Sequence, residues 1–180
     1  MKKIIFLAVF IFVGNIVFSQ KVMTRTGQVK FEASVPSFEP VAATNNSVSA
    51  ILDKSTGEFA VLALIKAFKF EIPLMEEHFN ENYMESSVYP KATFKGKIIN
   101  FDASKLSVSK KYDVEGDLTI HGVTKKIKTK ISVVLKEGKV SLSNNFTVKV
   151  QDYNIKIPSL VKSKVSENVN IALDLVLDEK

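Results

Sequence analysis

The sequence predicts an all-β fold: an antiparallel β-barrel of about eight strands with one short helix near residues 73–84. Three observations predict it. Apolar and polar residues alternate with a period of two along most of the chain, which is the pattern of strands buried on one face. Turn sequences such as Asp53-Lys54-Ser55-Thr56-Gly57 and Glu137-Gly138-Lys139 punctuate that alternation. Only one segment carries apolar residues at helical spacing. A sheet that curls and closes also removes the exposed edges that an isolated sheet must protect.

The first residues form a separate unit. Lys2 and Lys3 give a basic start, Ile4 to Phe18 are mostly apolar, and Val17 and Ser19 are small enough for positions −3 and −1 of a signal-peptidase site. The apolar run is shorter than the roughly 20 residues needed to span a bilayer. Residues 1–19 are therefore expected to be a cleaved signal peptide and residues 20–180 one domain, exported to the periplasm or secreted, with no transmembrane anchor after cleavage. The chain has no Cys, which excludes a disulfide framework and a lipoprotein anchor and leaves stability to the core. Trp is absent, so the 13 Phe supply most of the aromatic bulk.

Taken in order, Val22 to Ser34 opens the domain as a strand with Met23, Arg25, Gly27, Val29, Phe31 and Ala33 on one parity. Ser34 to Asn46, with two prolines and several small polar residues, reads as a crossing loop. Ser47 to Leu52 and Glu58 to Phe70 flank the Asp53–Gly57 turn as a hairpin. Phe59 to Ile65 is apolar on both parities, which predicts cover on both faces, by the barrel interior and by a loop or helix. Pro73 to Met84 is the helix. Pro73 suits a first helical position, Glu76 and Glu77 suit the first turn, and Met75, Phe79 and Tyr83 form one stripe at i, i+4, i+8. That stripe fits either a core-facing helix or a lid over a cavity.

The later strands alternate cleanly. Tyr112, Val114, Gly116, Leu118 and Ile120 share one face, with Asp113, Glu115, Asp117 and Thr119 opposite. Ile127, Ile131, Val133 and Leu135 point inward in the next strand, with Lys126, Lys128 and Lys130 outward. Val140, Leu142, Asn144, Phe146, Val148 and Val150 follow on one parity, and Val169, Ile171, Leu173, Leu175 and Leu177 close the chain. An eight-stranded barrel either fills with side chains or holds one small ligand. The small inward residues Ala33, Ala63 and Gly116 fit a cavity and fit a tapered, filled barrel equally.

Little in the chain points to chemistry. The formal charge is +6, from 25 basic and 19 acidic residues, and the lysines are spread along alternating strand positions rather than clustered. No nucleic-acid partner is expected from such a solvated face. Glu77, His78 and Glu81 share a helix surface but lack a third strong ligand, and no metal or other cofactor is assigned. His121 lies beside Gly122 at a strand end. Asp117 is about 13 Å away along the strand, too far to orient it as a catalytic base. His121 therefore reads as a turn residue, and no catalytic residue is assigned. The residues placed to line an apolar pocket are Phe59, Phe68, Phe70, Phe79, Tyr83, Phe94, Leu118, Ile120, Phe146 and Tyr153.

Three segments, in order, resemble the YceI-like family: Leu74-Met75-Glu76-Glu77-His78-Phe79 through Tyr83-Met84; Tyr89-Pro90-Lys91-Ala92-Thr93-Phe94-Lys95-Gly96; and Gly116-Asp117-Leu118-Thr119-Ile120-His121-Gly122-Val123-Thr124-Lys125. Asp152-Tyr153-Asn154-Ile155 is more weakly similar to the family's Asp-Phe-Gly-Ile stretch, with Asn154 in place of the Gly. Val165-Ser166-Glu167-Asn168-Val169 is similar to its closing strand. The family's Arg residues near the helix and near that late Asp have no counterpart here. The resemblance implies a lipocalin-like, secreted, lipid-binding barrel that holds a polyisoprenoid. The expected function is non-enzymatic binding of a long apolar lipid, polyisoprenoid-like or fatty acyl, inside a barrel in the cell envelope. One alternative is a ligand-free envelope or stress protein acting through its Lys-rich surface, Lys125 to Lys130. Another is a lipocalin-like enzyme. Dimerisation is left open.

Overall fold

The computed structural model describes residues 21–179; the expected signal peptide lies outside them. The chain forms β1 (Lys21–Ser34), β2 (Ala42–Asp53), β3 (Glu58–Leu64), β4 (Lys69–Phe70), α1 (Pro73–His78), β5 (Lys91–Ile98), β6 (Lys110–Ile120), β7 (Val123–Lys136), β8 (Lys139–Lys149) and β9 (Val165–Glu179). Pairing runs β1-β9-β8-β7-β6-β5-β3-β2 and returns from β2 to β1, which closes an eight-stranded antiparallel barrel. The two-residue β4 adds to β2 through Ala43↔Phe70 and Thr44↔Lys69.

Turn chemistry sets the register. Asp53 Oδ1 accepts from the backbone N–H of Ser55 and Thr56 at 2.9 and 3.2 Å, and this turn joins β2 to β3. His121 and Gly122, with φ of 50° and 73°, make the two-residue turn between β6 and β7, and Ile120 pairs with Val123 across it. Positive φ at both central positions gives the turn whose twist matches antiparallel strands. Glu137 and Gly138 repeat the device between β7 and β8.

One end of the barrel is filled. Leu52, Ile98, Leu106, Ile131, Leu142, Leu175 and Leu177 are each at most 2% exposed and form a plug. Leu106 comes from the connection between β5 and β6, and its carbonyl accepts from the N–H of Leu135 at 2.7 Å. The other end is bounded by α1, the loop 35–41 and the segment 150–165.

Several expectations are corrected. Inward parity in β1 does not run through Met23 and Arg25. Val22 and Thr24 are buried, a bulge between Thr24 and Gly27 then inserts one residue, and Gly27, Val29, Phe31 and Ala33 take over the inner face. Residues 42–46, read as loop, belong to β2. Asn45 is fully buried because its own amide satisfies the site: Oδ1 accepts from Ser47 N at 2.8 Å and Nδ2 donates to Leu64 O at 3.0 Å.

The stretch 58–70 is two strands, broken by a helical turn at Ile65–Ala67. On the outer face of β3, Leu64 is 50% exposed and Ala60 and Leu62 are half-buried, so the expected full cover is not found among the described residues. Leu135 keeps the inward parity, opposite the buried Val140, but at the end of β7 it is 44% exposed. Gly116 opens no cavity space. It faces Gly96 across the β5–β6 ladder, and the Phe94 ring lies over both, 2.6 Å from where either Cβ would stand.

Candidate functional site

Above the plug the barrel encloses a cavity of about 650 Å³. Its inner wall comes from inward-facing strand residues: Val29, Phe31 and Ala33 of β1, Val61 and Ala63 of β3, Leu118 of β6, Phe146 and Val148 of β8, and Ile171 and Leu173 of β9. The acidic and basic side chains on the boundary, Glu39, His78 and Lys164, are exposed and belong to the loops and helix at the open end. Burial raises the phenol pKa of Tyr83, and that of Tyr153 with help from Asp152. Both hydroxyls stay neutral, and the wall carries no buried charge.

The helix is fixed as part of that wall. Phe79 stacks on Phe31 at 5.2 Å between ring centroids and meets Phe70 and Phe68 at 5.1 and 5.9 Å. Pairs at such separations add about 0.5–1.5 kcal/mol each beyond area burial. Glu76 is tied to Lys69 at 2.6 Å and accepts from the N–H of Phe70 at 3.3 Å, and this hydrogen-bonded pairing holds its carboxyl pKa below the ordinary value. After His78 the helix widens into a π-turn, Phe79–Tyr83, in which Met84 N–H bonds to Phe79 O at 2.9 Å. The wider turn places Met84 beside Tyr83 on the cavity side. The stripe Met75, Phe79, Tyr83 therefore both packs and lines the cavity.

His121 braces the rim. Its Nδ1 donates to the Tyr153 carbonyl at 3.2 Å, Nε2 meets Glu85 Oε2 at 2.9 Å, and its ring packs edge-on to Tyr89 at 4.3 Å. A Cβ on Gly122 would fall 2.6 Å from the Tyr89 ring, so glycine is required there by contact as well as by φ. The turn thus binds the end of the helical segment to the segment carrying Tyr153. A helical turn at Val150–Tyr153 ends at Asn154 in the left-handed conformation, φ 56° and ψ 22°. Asn is the commonest substitute for glycine in this region, which explains how it replaces the Gly expected there. His121 borders an open recess with Glu85, Asn154 and Lys156, and both of its ring nitrogens are engaged in the brace.

All ten pocket residues expected from the sequence border this one cavity: Phe59, Phe68, Phe70, Phe79, Tyr83, Phe94, Leu118, Ile120, Phe146 and Tyr153. Sequence reasoning missed Phe31, Val61, Ile127, Thr129, Asn144 and Val148 as wall residues. The signal for them was strand parity, which aromatic content alone does not capture.

The Lys-rich outer face is compensated. Lys130 pairs with Asp113 at 2.6 Å and Lys128 with Glu115 at 2.8 Å, and Lys126 stands opposite Asp117 in the β6–β7 ladder. Among the described residues no group of three or more His, Cys, Asp or Glu is placed to hold a metal ion. No helix among them is long and apolar enough to cross a membrane.

The sequence profile of a family described as YceI-like domain matches residues 15–177. Among solved structures, a polyisoprenoid-binding domain from Saccharophagus degradans implicated in plant cell wall breakdown superposes with a TM-score of 0.76 at 18% identity, over 89% of this chain and 99% of that one. BcnA of Burkholderia cenocepacia gives 0.69 at 20% identity, over 83% and 95% of the two chains. The YCEI protein of Campylobacter jejuni gives 0.64 at 20%, over 81% and 89%. At these identities the structures support the same fold. No curated protein matches the chain.

Proposed function

The chain belongs to the YceI-like family, and from that membership and the cavity we propose that it is a non-enzymatic carrier of one long apolar lipid, polyisoprenoid-like or fatty acyl. The observation that carries this reading is the preformed apolar cavity of about 650 Å³, closed by the leucine-rich plug and charged only at its mouth. This volume lies in the usual range of small-molecule sites, about 300–1,000 Å³. Each buried methylene is worth about 0.8 kcal/mol, so ten of them supply about 8 kcal/mol before ordering costs. Area alone is enough to hold such a ligand. The ten aromatic and aliphatic residues named from the sequence are the proposed contacts. The description of the Saccharophagus domain as polyisoprenoid-binding favours a prenyl chain. The basic and apolar pattern of residues 1–19 supports export to the periplasm or beyond.

A surface-acting, ligand-free role draws less support, because cross-strand acids neutralise the lysine face. The test is uptake of a prenyl chain from vesicles. Protein incubated with phosphatidylcholine vesicles carrying radiolabelled geranylgeraniol should emerge from gel filtration with label bound one to one. Label that stays with the vesicles at every protein concentration would count against a carrier.

A further inference from the structure

The inner end of the cavity is not wholly apolar. Asn144 of β8 and Thr129 of β7 both border it, at the level of Val114 and Leu173 just above the plug. Asn144 is 7% exposed, and its side chain is bonded among the described residues by Thr129 Oγ1 to Asn144 Oδ1 at 3.3 Å. That contact leaves the Asn144 Nδ2 donors and the Thr129 acceptor lone pairs without a partner among the described residues. If the amide is turned over, the same pair leaves the Thr129 O–H as donor and Asn144 Oδ1 as acceptor. In either orientation one donor and one acceptor stand side by side. Both groups face the cavity, and a ligand atom that donates one bond and accepts another satisfies the pair in full.

We propose that Asn144 and Thr129 form a subsite for the hydroxyl of a neutral lipid alcohol, which enters the barrel polar end first. A hydroxyl donates one hydrogen bond and accepts another, and so complements the pair. A carboxylate fits less well, because Glu39, His78 and Lys164 all stand at the mouth and the inner end has no cationic side chain among the described residues. The inference rests on the carrier reading and specifies its ligand class and orientation.

The test uses hexadecan-1-ol, hexadecane and palmitate, each titrated against the folded protein. Wild type should bind hexadecan-1-ol about 10-fold more tightly than either of the others. Asn144→Leu, close in volume, should erase that preference, bringing the hexadecan-1-ol and hexadecane affinities together. Thr129→Val, which keeps the amide, should reduce the preference in part and guards against a folding defect in the first variant. Equal affinity for alcohol and hydrocarbon in wild type, or a preference that survives both substitutions, overturns the subsite while leaving the carrier intact. Failure of wild type to bind any of the three removes both.

Discussion

Ala63→Phe abolishes lipid uptake and leaves the barrel folded. Ala63 lies on the inner face of β3, 7% exposed, between the wall residues Val61 and Ile65 and opposite Ala92, another wall residue. A phenylalanine there sends its ring into open volume rather than into packed atoms. Adding atoms to a well-filled core costs about 1–3 kcal/mol, and the cost falls where space already exists. The expected change in stability is therefore below about 1.5 kcal/mol. The ring occupies the space a chain would use, and affinity should fall at least about 100-fold, equivalent to about 2.7 kcal/mol. Vesicle uptake and a thermal melt on the same preparation measure the two quantities. Undiminished uptake in a folded variant would show that the lipid does not lodge in this cavity.

Leu175→Ala produces the largest loss of stability. Leu175 is fully buried in the plug, paired with Leu142 across β8 and β9, and its Cδ2 occupies the space above Gly27 that a side chain there would need. Truncation removes buried methyl groups and leaves a void that the closed sheet cannot collapse, since strands on both sides are held by ladder hydrogen bonds. Leucine-to-alanine changes in such sites cost about 2–5 kcal/mol. Chemical denaturation should show a lowered midpoint with an unchanged slope, the sign of lost stability without a change in the unfolded state. A loss under about 1 kcal/mol would mean that the plug is loosely packed. The two substitutions separate the roles of the barrel's halves: one end stabilises and the other binds.

The strands from β6 to β9 were legible because each shows unbroken alternation, and their inner faces are those the period predicts, although Leu135 at a strand end is exposed. The β1 face was misread because a bulge is a property of two strands in register. Nothing in Met23-Thr24-Arg25-Thr26 announces that one residue will be left out of the ladder. Asn45 was misread because its polarity suggests a loop, whereas its burial depends on the carbonyl of Leu64, nineteen residues away. The pocket aromatics were legible as a set, since bulky rings on inward parity must meet. That they enclose space was not legible. Identical inward residues fill a barrel or line a cavity according to where rings lie, and Phe94 uses the room over Gly96 and Gly116 while Ala33 and Ala63 leave theirs open. The bracing by His121 joins Glu85 and Tyr153, which are 36 and 32 residues distant, and no local pattern reveals such contacts.

A lipid-carrying barrel should retain its ligand through purification. The most direct test is the intact mass of the protein, expressed from the full sequence, purified without detergent and sprayed under non-denaturing conditions. The account predicts a species heavier than the polypeptide by one neutral, chain-like lipid, which organic solvent extracts and tandem fragmentation identifies. A bare polypeptide mass from that preparation, unchanged after incubation with prenyl alcohols and fatty acids, would contradict it.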